Sequence, residues 1–106
     1  MVEYTYKLDS IFNSLSDPIR RDMLERVAKA EYAVGELVAC YDVSFAAISK
    51  HLKVLEKAQL INKRKEGKKH MVSLAPGALA SADEYLEQYR SMWQSRYDKL
   101  DALINE

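Results

Sequence analysis

Apolar positions change their period along the chain, and each change marks an element. Leu8, Ile11, Phe12 and Leu15 recur at helical spacing. "SDP" at 16–18 then closes that helix and opens the next: Asp17 offers an oxygen to the free amides of a first turn, and Pro18 suits the first helical position because no donor is missed there. Ile19, Met23, Leu24 and Val27 carry the second helix to about Ala30, so two N-terminal helices are expected over residues 8–30. Val34, Leu37 and Val38 predict a short third helix, and after "YDVS" Ser44 caps a fourth. Between Leu60 and Leu74 the helical period gives way to strand. "LINKRKE" and "KHMVSL" are joined by Gly67-Lys68, with glycine where a type II′ turn needs positive φ and Glu66 set opposite Lys69. Pro76 predicts the start of a last helix of about 28 residues, roughly 40 Å long.

This order predicts a mainly α chain with a small β-hairpin, a winged helix-turn-helix. One domain is expected over 1–106, with the helix-turn-helix at 34–58, the β wing at 60–74 and a C-terminal dimerisation helix at 76–104. At 106 residues the chain can bury one core, so one fold must carry the function.

The fourth helix has two faces. At 100° per residue Phe45, Ile48, Leu52 and Leu55 share an apolar side, while Ala46, Ser49, Lys50, Lys53 and Lys57 share another. The second stripe has what a major-groove surface needs: lysines for phosphates and guanine edges, a serine that donates or accepts, and a small alanine that allows close approach. The helix start at Ser44 adds outward amides. Solvated lysines are the plain alternative. His51 lies at the edge of the apolar side, where it would reach a phosphate or satisfy a hydrogen bond in the core.

Charge sharpens this picture. The chain is neutral overall, with sixteen basic and sixteen acidic side chains. Yet residues 44–74 hold eight basic and two acidic side chains, whereas the segments on either side are each net negative. The hairpin contributes Lys63, Arg64, Lys65, Lys68, Lys69 and His70, a wing suited to the phosphate backbone or, at its tip, the minor groove. Double-stranded DNA is the expected partner.

Leu79, Leu86, Trp93 and Leu100 repeat every seven residues, with Ala82, Tyr89 and Leu103 three further on and Arg96 as the exception. Such a seam calls for a partner helix. The first helix, through Ile11 and Phe12, covers only part of it, so a homodimer is expected, its interface formed by this seam with Leu8, Ile11 and Phe12; complete burial inside one chain is the alternative. Trp93, Tyr85, Tyr89 and Tyr97 would otherwise line a ligand pocket. A twofold pair would set its recognition helices in successive major grooves, about 34 Å apart, and select an inverted repeat.

Arg20 falls among apolar positions of the second helix, and a structural ion pair with Glu36 or Glu56 is expected. Cys40 is the only cysteine, so no intrachain disulfide can form; it is expected to be buried and structural, with redox sensing as the alternative. No nucleophile and base pair, phosphate loop or metal cluster is visible, so neither an enzyme nor a cofactor is expected. No leader or membrane span is seen in the sequence, and a cytoplasmic location is expected.

"SLSDPIRRDMLERV", "VGELV", "SFAAISKHLKVLEKAQLINKRKEGKKHMVSL" and "YLEQYRSMWQSRYDKLDALI" together resemble the ArsR/SmtB family of winged helix-turn-helix repressors over roughly residues 8 to 104. The resemblance implies a homodimer formed by the first and last helices that binds operator DNA and is often released by a ligand. By position, Ser44 to Lys57 are similar to the recognition helix and Lys63 to His70 to the wing. Metal-sensing members carry a cysteine pair where this chain has Val38 and Cys40, and others use histidines on the last helix, which here has none. The ending is similar to that of members without a recognised metal site. An unidentified small-molecule inducer or simple autoregulation is therefore expected; a metal- or thiol-responsive sensor and a protein-interaction module are the alternatives. Gln59 stands where a glycine often follows the recognition helix, which would strain a left-handed cap.

Overall fold

The computed structural model describes the backbone of residues 2–105 and side chains from Tyr6 to Asn105; Met1 and Glu106, the ends of the expected domain, lie outside the described residues. Among the described residues, five helices and three short strands follow in the order α1 (Val2–Ser14), α2 (Pro18–Lys29), β1 (Tyr32–Ala33), α3 (Val34–Ala39), α4 (Phe45–Lys57), β2 (Ile61–Glu66), β3 (Lys69–Leu74) and α5 (Ala80–Ile104). The chain is thus mainly helical with a small antiparallel sheet of order β1-β3-β2.

Local chemistry sets these boundaries. Asp17 Oδ1 accepts from the amides of Ile19 at 2.8 Å and Arg20 at 3.1 Å, and Pro18 occupies the first position of α2. In α3 the Glu36 carboxylate accepts from the Ala33 amide at 2.8 Å. Ser44 Oγ accepts from the Ala47 amide at 3.1 Å and starts α4. That helix ends in a Schellman motif: the Leu60 amide donates to Leu55 O and the Gln59 amide to Glu56 O, both at 3.0 Å, with Gln59 left-handed at φ 61°. A non-glycine residue there costs on the order of 1 kcal/mol, and burial of Leu55 and Leu60 on either side of the turn offsets it.

The hairpin turns at Gly67, φ 63°, and pairs Glu66 with Lys69 and Lys63 with Val72. Two expectations are corrected here. Strand β1, paired through Tyr32 with Val72, adds a third strand too short to show a period. Pro76 does not open the last helix: residues 76–79 form a turn with Gly77 and Leu79 both left-handed, and α5 begins at Ala80. Its 25 residues span about 37 Å.

The core lies between α2, α3, α4 and the base of the sheet, around Met23, Leu37, Ile48, Leu52, Leu55, Leu60, Ile61 and Val72. The only buried polar side chain among the described residues, Ser14, donates to Ile11 O at 2.7 Å. Helix α5 leaves this body. The radius of gyration is 18.0 Å, against about 13 Å for a compact chain of this length, and among the helices α5 makes its main contact with α1.

Candidate nucleic-acid interface

Three elements converge on one surface. Ile48, Leu52 and Leu55 anchor α4 to the core, which turns Ser44, Ala46, Lys50, Lys53 and Lys57 out to solvent and leaves Ser49 half-buried. The hairpin stands beside the helix start, and a cleft of about 590 Å³ separates the two. Phe45, Ser49 and Leu52 line its helical wall, Lys63, Lys68, Lys69 and His70 its wing wall, and Val34 to Glu36 of α3 its floor. Ser49 of α4 and the cations of the wing tip, identified separately in the sequence, therefore share one groove.

The cations are not equivalent. Arg64 Nη2 lies 2.7 Å from Glu31 Oε2 and 2.9 Å from Glu66 Oε2, which ties β2 to the start of β1; Glu31, and then Glu66, raise the guanidinium's pKa, and Arg64 in turn lowers that of Glu31. Lys63 Nζ lies 3.9 Å from Glu56. Among the described residues, Lys50, Lys53, Lys57, Lys65, Lys68 and Lys69 form no ion pair within 4.0 Å and keep their charge available to an anionic partner.

His51 departs from the outward set. Its side chain is 18 % exposed, with Nδ1 3.2 Å from Arg20 Nη1 and Nε2 4.0 Å from Asp17 Oδ1. The core-side alternative describes its placement, and its role is to fasten α4 to the α1–α2 corner. Arg20 also departs from expectation. It pairs with neither Glu36 nor Glu56; its Nε donates to Ser14 O at 2.7 Å and its Nη2 to Asn13 O at 3.1 Å. Carbonyls at the end of a helix have accepting capacity left over, and these two lie closer to the guanidinium than any glutamate.

Phe45 is the residue missed by periodicity. Its helical angle groups it with the core, yet it is 62 % exposed, because it is the first residue of α4 and lines the open cleft that faces the wing. The signal available in the sequence was its position directly after the capping Ser44. Cys40 is exposed rather than buried, its thiol 3.2 Å from Glu36 O at the end of α3. Nearby, burial and a 2.5 Å bond to Asp22 Oδ2 push the Tyr41 hydroxyl pKa up, while Asp22, which also receives Arg26 Nε at 2.8 Å, is held low. Among the described residues no three His, Cys, Asp or Glu side chains gather to hold a metal ion.

The α5 seam is bare. Leu86, Tyr89, Trp93, Leu100 and Leu103 are all exposed, Trp93 at 54 % and Leu103 at 69 %. This excludes burial of the seam within one chain. Leu8, Ile11 and Ala82, expected at a dimer interface, are already buried in the protomer where α1 crosses the root of α5. Leu79 belongs to the preceding turn and breaks the heptad. Phe12 packs edge-on against Tyr85 at 6.0 Å. Arg96, the heptad exception, places its guanidinium 5.5 Å from the Trp93 ring centroid.

A capped helix with an outward basic side, braced by a basic hairpin, defines a winged helix-turn-helix DNA-binding protein. Residues 17–63 match the sequence profile of the bacterial regulatory proteins of the arsR family. The HTH-type transcriptional regulator Rv2034 of Mycobacterium tuberculosis is 36% identical over 92 residues, which cover 87% of this chain and 86% of that protein. The arsenical resistance operon repressor of Staphylococcus xylosus is 35% identical over 71 residues, covering 66% and 68%. An ArsR-like transcriptional regulator from Rhodococcus sp. RHA1 superposes with a TM-score of 0.73 at 26% identity, covering 93% of each chain. The chain belongs to the arsR family: it is a DNA-binding transcriptional regulator and not an enzyme. No helix among the described residues is long and apolar enough to cross a membrane.

Proposed function

We propose that this regulator is a homodimeric, cytoplasmic repressor that binds an inverted-repeat operator, including one upstream of its own gene. The observation that carries the reading is the outward basic side of α4, with Lys50, Lys53 and Lys57 in no ion pair among the described residues, beside a cleft whose wing wall carries the equally unpaired Lys68 and Lys69. In this reading α4 enters the major groove with Ser49, Lys50 and Lys53 at the base edges, while Lys65, Lys68, Lys69 and His70 hold the backbone. The uncovered seam of α5 supports the dimer, since Leu86, Trp93 and Leu100 leave a long apolar stripe in water unless a second copy covers it. The name of the Staphylococcus relative, a repressor, supports the direction of regulation.

Footprinting on the DNA upstream of the gene tests the proposal. A symmetric protected site is expected, and log affinity should fall linearly with log salt as about six to ten phosphates are neutralised per dimer. Replacing Lys68 and Lys69 with alanine should weaken every sequence alike, whereas Ser49→Ala and Lys50→Ala should change sequence preference. A salt-independent interaction would point instead to a protein partner.

A further inference from the structure

The cleft between α4 and the wing holds an exposed aromatic ring among cations, an arrangement that phosphate binding does not explain. Phe45 occupies the first position of the recognition helix, 62 % exposed, one helical turn from Ser49 and across the cleft from Lys68, Lys69 and His70. A ring is neither a donor for a phosphate nor, here, part of the core. On a major-groove surface the one apolar group a base presents is the C5-methyl of thymine. The first turn of a recognition helix is also the part that comes nearest to base edges.

We infer that Phe45 reads a thymine methyl in each operator half-site, so that specificity comes partly from an apolar contact beside the polar stripe. Charge complementarity selects the occupant. Lys68 and Lys69, across the cleft from the ring, favour a polyanion, and a duplex is the polyanion that offers an apolar methyl at the floor of its groove. Ser49 on the same wall accounts for the polar part of the neighbouring base. This inference rests on the DNA-binding reading and adds the identity of the group recognised.

The test uses the full-length protein and a duplex selected from a random pool. Each thymine of the selected site is replaced in turn by deoxyuridine, which removes only the methyl. For the wild-type protein one position per half-site should lose roughly fourfold in affinity, and the symmetric pair on the order of fifteenfold, the scale of one buried carbon. In Phe45→Ala those replacements should have no effect, at an unchanged melting temperature, because the ring contributes little to the core. Selection repeated with Phe45→Ala should no longer require thymine there. If a site is selected with a steep salt dependence but no thymine is sensitive, or if Phe45→Ala keeps the sensitivity, the inference fails while the DNA reading stands. If no duplex is enriched, both fail.

Discussion

Helices α4 and α5 are both amphipathic, yet only α4 finds cover in its own chain. Ile48, Leu52 and Leu55 are closed off by α2, α3 and the sheet, whereas Leu86, Trp93 and Leu100 face solvent. A chain of this size has enough apolar surface for one core, and it is spent around the reading head. The difference teaches that the chain closes its own core around α4 and leaves the apolar stripe of α5 uncovered. The head presents its basic surface unaided, and what remains unsatisfied is the element the proposed dimer would use.

Leu55→Ala should produce the largest effect. It removes a fully buried side chain and should cost about 2–5 kcal/mol in chemical denaturation. If α4 tolerated this, its apolar side would be no more closed than that of α5. Leu100→Glu should leave helical content unchanged but shift the sedimenting species to a single chain and reduce operator affinity on the order of a hundredfold, as the two half-sites become independent. Unfolding of the head by this change would show that the α5 seam serves the protomer after all.

Arg20→Ala asks how firmly the reading helix is held. It removes two bonds to α1 carbonyls and the contact to His51, so it should cost about 2 kcal/mol. The salt dependence of DNA binding should not change. The smallest effect concerns Asp17. The Arg20 backbone amide lowers its carboxyl pKa most, with help from His51, so the folded form binds protons less readily than the unfolded chain. The stability this contributes is present at neutral pH and lost as pH falls below about 4. Asp17→Asn keeps a capping oxygen but does not titrate, so the difference in melting temperature between wild type and variant should narrow or reverse between pH 6 and pH 3, on the order of the range in which carboxylates protonate.

Much of this was legible because capping and turn chemistry are local. Asp17-Pro18, Ser44 and Gly67-Lys68 each act within a few residues, and the structure places helix starts and a turn at those positions. Periodicity carried the buried side of α4 for the same reason. What escaped depends on neighbours distant in sequence or on ends. Phe45 has a core angle but lines an open cleft, Arg20 found carbonyls of α1 instead of a glutamate, and Leu8, Ile11 and Ala82 were claimed by the protomer before any partner could use them. The two-residue β1 has no period to detect, and the left-handed Leu79 delays α5 past the proline that suggested its start.

Leu60 joins more of the molecule than its size suggests. Its amide closes the end of α4, its side chain is fully buried, and its carbonyl accepts from the Ala75 amide at 3.0 Å, where the hairpin returns. Leu60 thus joins α4 to both ends of the hairpin, beside the Lys63–Glu56 pair that links β2 to the same helix. Any swing of the long arm relative to the head has to be absorbed by the four residues 76–79, the short elbow between that junction and the arm.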